Sequence, residues 1–209
     1  MKEKTMLPEP PAKGSLQLFV REAWPQVVVA PLEWGNVLES MSEQIEQALH
    51  EPGTPCLIAC PTARCGKTML MSVLLPAWIW TWAPAARLMT VGVSERAAHA
   101  DARLTRELLR SVWYRRRWGE GIVPFATSNL AFTENRAGGY RRAVGVRSAI
   151  SGLRVDVAIA DCIYPFAYPG AERGEARDRV DTWWQQEALK RVVPGGHMLR
   201  VEESILATA

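Results

Sequence analysis

Histidine and cysteine are scarce in this chain, three and four residues among 209. Cys56, Cys60, Cys65 and Cys162 form no Cys-x-x-Cys pair, and His50, His99 and His197 are scattered, which argues against a zinc centre. Phenylalanine and tyrosine are few, four each, beside nine tryptophans. Charge of one sign is lacking too. The balance is 25 Lys and Arg against 22 Asp and Glu, a net +3, which is only a mild lean toward an anionic partner. No apolar stretch follows the charged Met1-Lys2-Glu3-Lys4; Pro8-Glu9-Pro10-Pro11 comes instead. No signal peptide is therefore expected, and a reducing, cytoplasmic compartment is. There is no internal repeat. Low complexity is confined to residues 1–14, rich in Pro, Lys and Glu, which read as a flexible N-terminal arm. What is present is ordinary globular material, 48% hydrophobic and 22% charged, enough for one domain over 15–209.

Periodicity sets the expected order of elements. Short helices are expected over 15–24, with Ser15 as its cap, and over 34–49, where Val37, Leu38, Met41, Ile45 and Leu49 recur at helical spacing. Pro55–Cys60 is a short apolar run before a turn, which suits a buried strand. Residues 68–86 carry no charge, but Pro76 and Pro84 interrupt them, so a buried core helix is expected in place of a membrane span. Strands follow over 88–93, 140–147, 155–160 and 197–201, and helices over 95–113 and 176–193, the last stopped by Pro194-Gly195-Gly196. Alternating strands and helices predict an α/β fold with a largely parallel central sheet flanked by helices.

The strongest local signal is Cys60-Pro61-Thr62-Ala63-Arg64-Cys65-Gly66-Lys67-Thr68, a strand running through a loop into a helix. Backbone N–H groups at such a helix start cradle phosphate oxygens, and here Thr62, Ala63, Arg64, Cys65 and Gly66 would supply them. Lys67 would reach the β and γ phosphates, and the Thr68 hydroxyl would hold Mg²⁺. The usual first glycine of this motif is Pro61. Asp161, ending the 155–160 strand, is the complementary acid that would hold magnesium. The next position, where an NTPase of this type places the acid that polarises the attacking water, is Cys162, and a thiol with a free pKa of ~8.5 is a poor base in its stead. Glu172 and Glu175 are the other acids considered for that role.

The ordered set of blocks resembles the ATPase domain of the large terminase subunit of tailed phages, the motor that packages DNA. The matching segments are Phe19-Val20-Arg21-Glu22-Ala23-Trp24-Pro25 with Trp34, the phosphate loop with Arg64, and Leu75-Pro76-Ala77-Trp78. Further along come residues 87–94 with Ser111-Val112-Trp113-Tyr114, Ser151-Gly152-Leu153-Arg154-Val155-Asp156, and Arg179-Val180 to Trp183-Trp184 with Pro194-Gly195-Gly196. The resemblance implies a P-loop NTPase fold, ATP and Mg²⁺ as ligands, and Arg64 acting on the γ-phosphate in cis. It implies double-stranded DNA, the portal and the small terminase subunit as partners, no membrane, a ring-type homo-oligomer, and residence in the host cytoplasm. Two departures accompany it. Neither Ser204 nor Thr208 matches the family's Thr/Ser-rich coupling motif convincingly, and its nuclease domain has no counterpart, so no DNA cleavage is expected. Cys162 argues for nucleotide binding without turnover. Rival readings are an active ATPase using another acid, a non-catalytic decoy acting on the packaging oligomer, and an unrelated P-loop kinase.

Arg115-Arg116-Arg117 between Trp113-Tyr114 and Trp118, with Arg136, Arg141, Arg142 and Arg147, make a basic middle third that DNA phosphates would suit. The alternative for the arginine run is a solvated helix end. Trp78, Trp80 and Trp82 are expected in the core, and Trp24 or Trp34 beside the adenine. If the loop and the Asp161 strand are neighbours, Cys65 and Cys162 are candidates for an oxidative lock on the empty site.

Overall fold

Among the described residues six strands carry the fold: β1 (Pro55–Cys60), β2 (Arg87–Gly92), β3 (Phe132–Glu134), β4 (Tyr140–Gly145), β5 (Val155–Asp161) and β6 (Val192–Glu203). They form one sheet in the order β1-β6-β5-β2-β4-β3. Every pairing is parallel except that of β3 with β4, a hairpin closing the far edge. This computed structural model describes residues 7–60, 65–122, 129–164 and 171–203, without the side chains of 120 and 171–173. Because parallel strands need crossovers, helices must cover both faces, and the strand sequences are correspondingly apolar. β5 is buried along its whole length.

Side-chain alternation assigns the faces. Ile58 and Cys60 of β1, Leu88 of β2, Val157 and Ile159 of β5, and Leu199 and Val201 of β6 join one core. Against it lie helices α1 (Ser15–Ala23), α2 (Asn36–His50), α3 (Leu75–Trp82) and α5 (Val112–Trp118). The opposite face, with Met89, Val91, Val155, Ala158 and Ala160, is covered by α6 (Ala171–Trp183) and the π-helical turn Trp184–Ala188. Helix α4 (Glu95–Arg110) sets Ala98 and Ala102 on Ala143 of β4. Trp78 and Trp80 are buried in the first core, and Trp82 packs at its border. Among the described residues no helix is long and apolar enough to cross a membrane.

Several local expectations are corrected. Ser15 does not cap α1: its N-cap is Gly14, and no side chain of that residue closes the turn. The Glu46 carboxylate of α2 does so, accepting from the N–H groups of Gly14 at 2.7 Å and Leu16 at 2.8 Å. This satisfies otherwise orphaned donors and ties α1 to α2. The 95–113 helix breaks at Ser111, whose hydroxyl accepts from the Tyr114 N–H and starts α5 anew. The helix expected through 193 ends earlier, and Pro194-Gly195-Gly196 does not stop it. These residues form a bulge inside β6, between the pairs Val155–Val192 and Val157–His197. Gly196 is required there, since a Cβ would stand 2.7 Å from the Asp156 carbonyl oxygen and 2.6 Å from Val192 Cγ1.

The helix after Lys67 begins as a π-helical turn, Met69–Leu74, before becoming α3. Pro76 gives the physical reason. It cannot donate to the carbonyl four residues back, at Ser72, so the ladder widens there. The Ser72 and Val73 carbonyls find partners from neighbouring elements. Arg141 of β4 donates to Ser72 O at 2.8 Å, and Thr105 of α4 donates to Val73 O at 3.0 Å. Arg141 is thus no surface cation. It is 2% exposed and also bonds the Thr90 and Thr105 hydroxyls, which removes it from the basic surface expected of the middle third.

Candidate functional site

Parallel strands end together at one edge of the sheet, and open α/β folds place ligands there. Here that edge gathers the ends of β1, β6 and β5. Residues 61–64 lie outside the described residues, so the expected contributions of Thr62, Ala63 and Arg64 have no structural account. The chain resumes at Cys65. Gly66 has φ +85°, a left-handed conformation, and the Trp24 ring closes over it: a Cβ there would stand 3.3 Å from Trp24 Cη2. Gly66 O then accepts from the Leu70 N–H, opening the helix. Trp24 anchors its own ring through Nε1–H to Ala30 O at 2.9 Å, while Trp34 lies under the Arg21 guanidinium at 4.6 Å.

Lys67 is nearly buried, and its ammonium donates to Glu203 Oε1 at 2.6 Å. Burial pulls the Lys67 pKa down. The Glu203 bond and the nearby acidic groups outweigh it, so the ammonium is held above its usual value. Asp161, at the end of β5, turns toward the same helix and accepts from the Ser72 hydroxyl at 3.4 Å. Burial raises its carboxyl pKa, opposed by the Thr68 hydroxyl and the Lys67 charge close by. Asp161 is therefore brought to Lys67 and Thr68, although far from them in sequence.

Cys162 leaves the strand sharply. Its φ is +45°, unusual for any residue but glycine, and its N–H donates to Val201 O at 3.0 Å. Burial first, then the Asp161 charge, push its thiol up to about 12. At neutral pH it is a thiol, not a thiolate, and it cannot take a proton from water. Glu175 does not take its place either, since it pairs with Arg179 on the exposed side of α6. The side chain of Glu172, and all of Ser204 and Thr208, lie outside the described residues.

The loop strand and the Asp161 strand are not neighbours, contrary to expectation: β6 runs between them, paired to both. The Cys65 thiol instead meets Cys60, with 3.2 Å between the sulfurs. The inserted strand brings the residue that sequence reasoning passed over. Glu203 stands opposite Cys60 in the β1–β6 register, at the foot of the phosphate-type loop. The signal was available in the alternation Leu199, Val201, Glu203, which puts the carboxylate on the same face as the helix that Lys67 precedes. Glu202 points the other way and pairs with Arg200, itself stacked 4.8 Å from the Tyr164 ring.

Of the arginine run, Arg117 bonds Glu22 and covers the Trp113 ring at 4.9 Å, while Arg115 and Arg116 are exposed on the last turn of α5. Among the described residues no group of three or more His, Cys, Asp or Glu forms a ready-made metal cage. Asp161 Oδ1 is nonetheless buried without a hydrogen-bond partner, a vacant lone pair beside the Thr68 side chain. Magnesium suits such a pair of ligands, because it keeps several waters and completes its shell with phosphate oxygens. No family model matches the chain, and the search of curated proteins gave no match.

Proposed function

We propose that this chain is a Mg·ATP-binding P-loop domain of the phage terminase large-subunit type, working on double-stranded DNA in the host cytoplasm. One observation carries the nucleotide reading: Asp161 of β5 converges on Lys67 and Thr68 at the head of the helix after β1, across an intervening strand. A lysine and a hydroxyl presented at a helix start, facing a carboxylate with an unused buried oxygen, suit a polyphosphate and its divalent cation. Lys67 would neutralise the β and γ phosphates, and Thr68 and Asp161 would hold the magnesium. That ion supplies charge neutralisation of the phosphate oxygens. Cys162 contributes no base. Packaging itself, with portal, small subunit and a ring of copies as partners, rests on the resemblance of the ordered sequence blocks, and the exposed Arg115 and Arg116 are compatible with a phosphate backbone.

The test is equilibrium binding of Mg·ATP to the whole chain and to Lys67→Ala, followed by phosphate release with and without duplex DNA. Binding that depends on Lys67 and magnesium is expected. Equal binding by both proteins, or none by either, overturns the nucleotide reading. Transfer of the γ-phosphate to an acceptor other than water would make the protein a kinase. Mg·ATP binding that is indifferent to DNA under all salt conditions would remove the packaging role.

A further inference from the structure

We infer that Glu203, at the end of β6, is the catalytic carboxylate of this site and holds the water that attacks the γ-phosphate, in place of an acid at position 162. The inference rests on the Mg·ATP reading above. Four observations support it. Glu203 is in phase with Leu199 and Val201, so its side chain emerges on the face of the sheet where Lys67 leads into its helix. It touches Lys67, the residue that would hold the γ-phosphate, at 2.6 Å. Its side chain is 27% exposed, so it reaches both the site and solvent and can pass a proton between them. And it lies two residues past Val201, whose carbonyl accepts from the Cys162 N–H at 3.0 Å.

The two acids differ in what they can do. Asp161 is buried, held by Ser72, and presents one free oxygen to a cation. Glu203 has no such restraint; its partner is the lysine that nucleotide would claim. On binding, Lys67 exchanges the Glu203 carboxylate for phosphate oxygens, which frees the carboxylate beside the γ-phosphate. A water oxygen then bonds to the γ-phosphorus as the bond from that phosphorus to the β,γ-bridging oxygen breaks. One water proton passes to Glu203 and on to solvent. ADP and inorganic phosphate leave, with no change of oxidation state. β6 is adjacent to β5 and runs parallel to it, and the Cys162 N–H bonds Val201 O, so a carboxylate two residues past Val201 stands next to the place an acid at 162 would occupy.

The experiment compares Mg·ATP affinity and steady-state turnover for wild type, Glu203→Gln and Lys67→Ala. Glu203→Gln is expected to bind Mg·ATP as tightly as wild type or tighter, and to lose turnover by about 10²-fold or more, the usual contribution of a positioned general base. Turnover by Glu203→Gln at the wild-type rate overturns the inference, as does a rise in turnover, which would mean that Glu203 only restrains Lys67 in the empty site. Wild type that binds Mg·ATP and releases no phosphate also overturns it while leaving the binding reading standing. Loss of Lys67-dependent binding in wild type would strike the binding reading itself. If Glu203→Gln does not fold, Glu203→Ala answers the same question: retained binding with lost turnover supports the role, and retained turnover removes it.

Discussion

Among the described residues, two backbone positions at the site have positive φ, Gly66 and Cys162, and they carry opposite consequences. Gly66 needs its missing side chain twice, for φ +85° and for the Trp24 ring that a Cβ would meet at 3.3 Å. Gly66→Ala is therefore expected to cost about 1–2 kcal/mol of left-handed backbone strain and to displace Trp24. Chemical denaturation should read the loss of stability, and Mg·ATP affinity should fall with it. Cys162 adopts φ +45° without being glycine. Aspartate tolerates that conformation better than most residues. Cys162→Asp is thus sterically admissible, but it adds a carboxylate beside Asp161 and Glu203, with Lys67 as the nearby cation. The expected outcome is a loss of about 1–2 kcal/mol in the presence of a chelator, ordinary for one unfavourable substitution, and recovery on adding magnesium. Denaturation with and without the ion checks it; equal stability in both would mean that no cation binds there. The approach of Asp161 to Lys67 and Thr68 was legible because these residues sit in a short motif at a helix start and at a strand end. Glu203 was not, because Glu202-Glu203 reads as a charged pair at the end of a strand until the register of β6 with β1 is known.

Elements explain why other parts of the sequence misled. β1 matched its expected bounds, since an apolar run between two turns leaves little choice of register. Pro194-Gly195-Gly196 was expected to stop a helix, yet it sits within β6, because both flanks of the bulge still pair with β5. Arg141 looked like part of a basic surface. Strand alternation turns it inward, where it joins β4, α4 and the π-helical turn through Thr90, Thr105 and Ser72 O. Burial pulls its guanidinium down to about 10, with the Asp101 charge opposing that pull, so it remains a cation at neutral pH. Arg141→Met removes the donor from the Ser72 carbonyl and the counter-charge from Asp101. A loss of about 3 kcal/mol in urea denaturation is expected, at the scale of deleting charged hydrogen bonds and leaving a buried carbonyl and two hydroxyls without their donor. His197 gives β6 a pH dependence. It is buried, its Nδ1 lies 3.2 Å from Ala48 O of α2, and burial holds its pKa below the usual value. The unfolded chain then binds the proton first as pH falls below about 6.5, so stability is full above that pH and declines toward the lower folded pKa. His197→Asn should flatten this slope below about pH 6.5. Denaturation midpoints measured across that range decide it, and an unchanged slope would assign it to other groups.

Three segments distant in sequence contribute to the candidate site, and that has a thermodynamic consequence. Lys67 and Glu203 are 136 residues apart in sequence, and Asp161 arrives from a third segment. The unfolded chain cannot hold Lys67, Thr68, Asp161 and Glu203 in one place, so a ligand that needs them binds the folded state alone. Ligand at about 100 times its dissociation constant then adds about 2.7 kcal/mol to the unfolding free energy. In a domain of this size each kcal/mol moves the melting temperature by about 2–4 °C, so saturating Mg·ATP should raise it by about 5–10 °C. The shift should need both magnesium and nucleotide. Lys67→Ala should lose most of it, because the phosphates lose their buried cation. Asp161→Asn should retain part of the shift with ATP alone and lose the increment due to magnesium. Glu203→Gln should keep the full shift, since the acid is released by nucleotide and does not hold it. Melting curves of the four proteins with ATP, magnesium and both therefore separate residues that bind from the residue proposed to act on water. A shift that survives in Lys67→Ala would place the nucleotide elsewhere on the molecule.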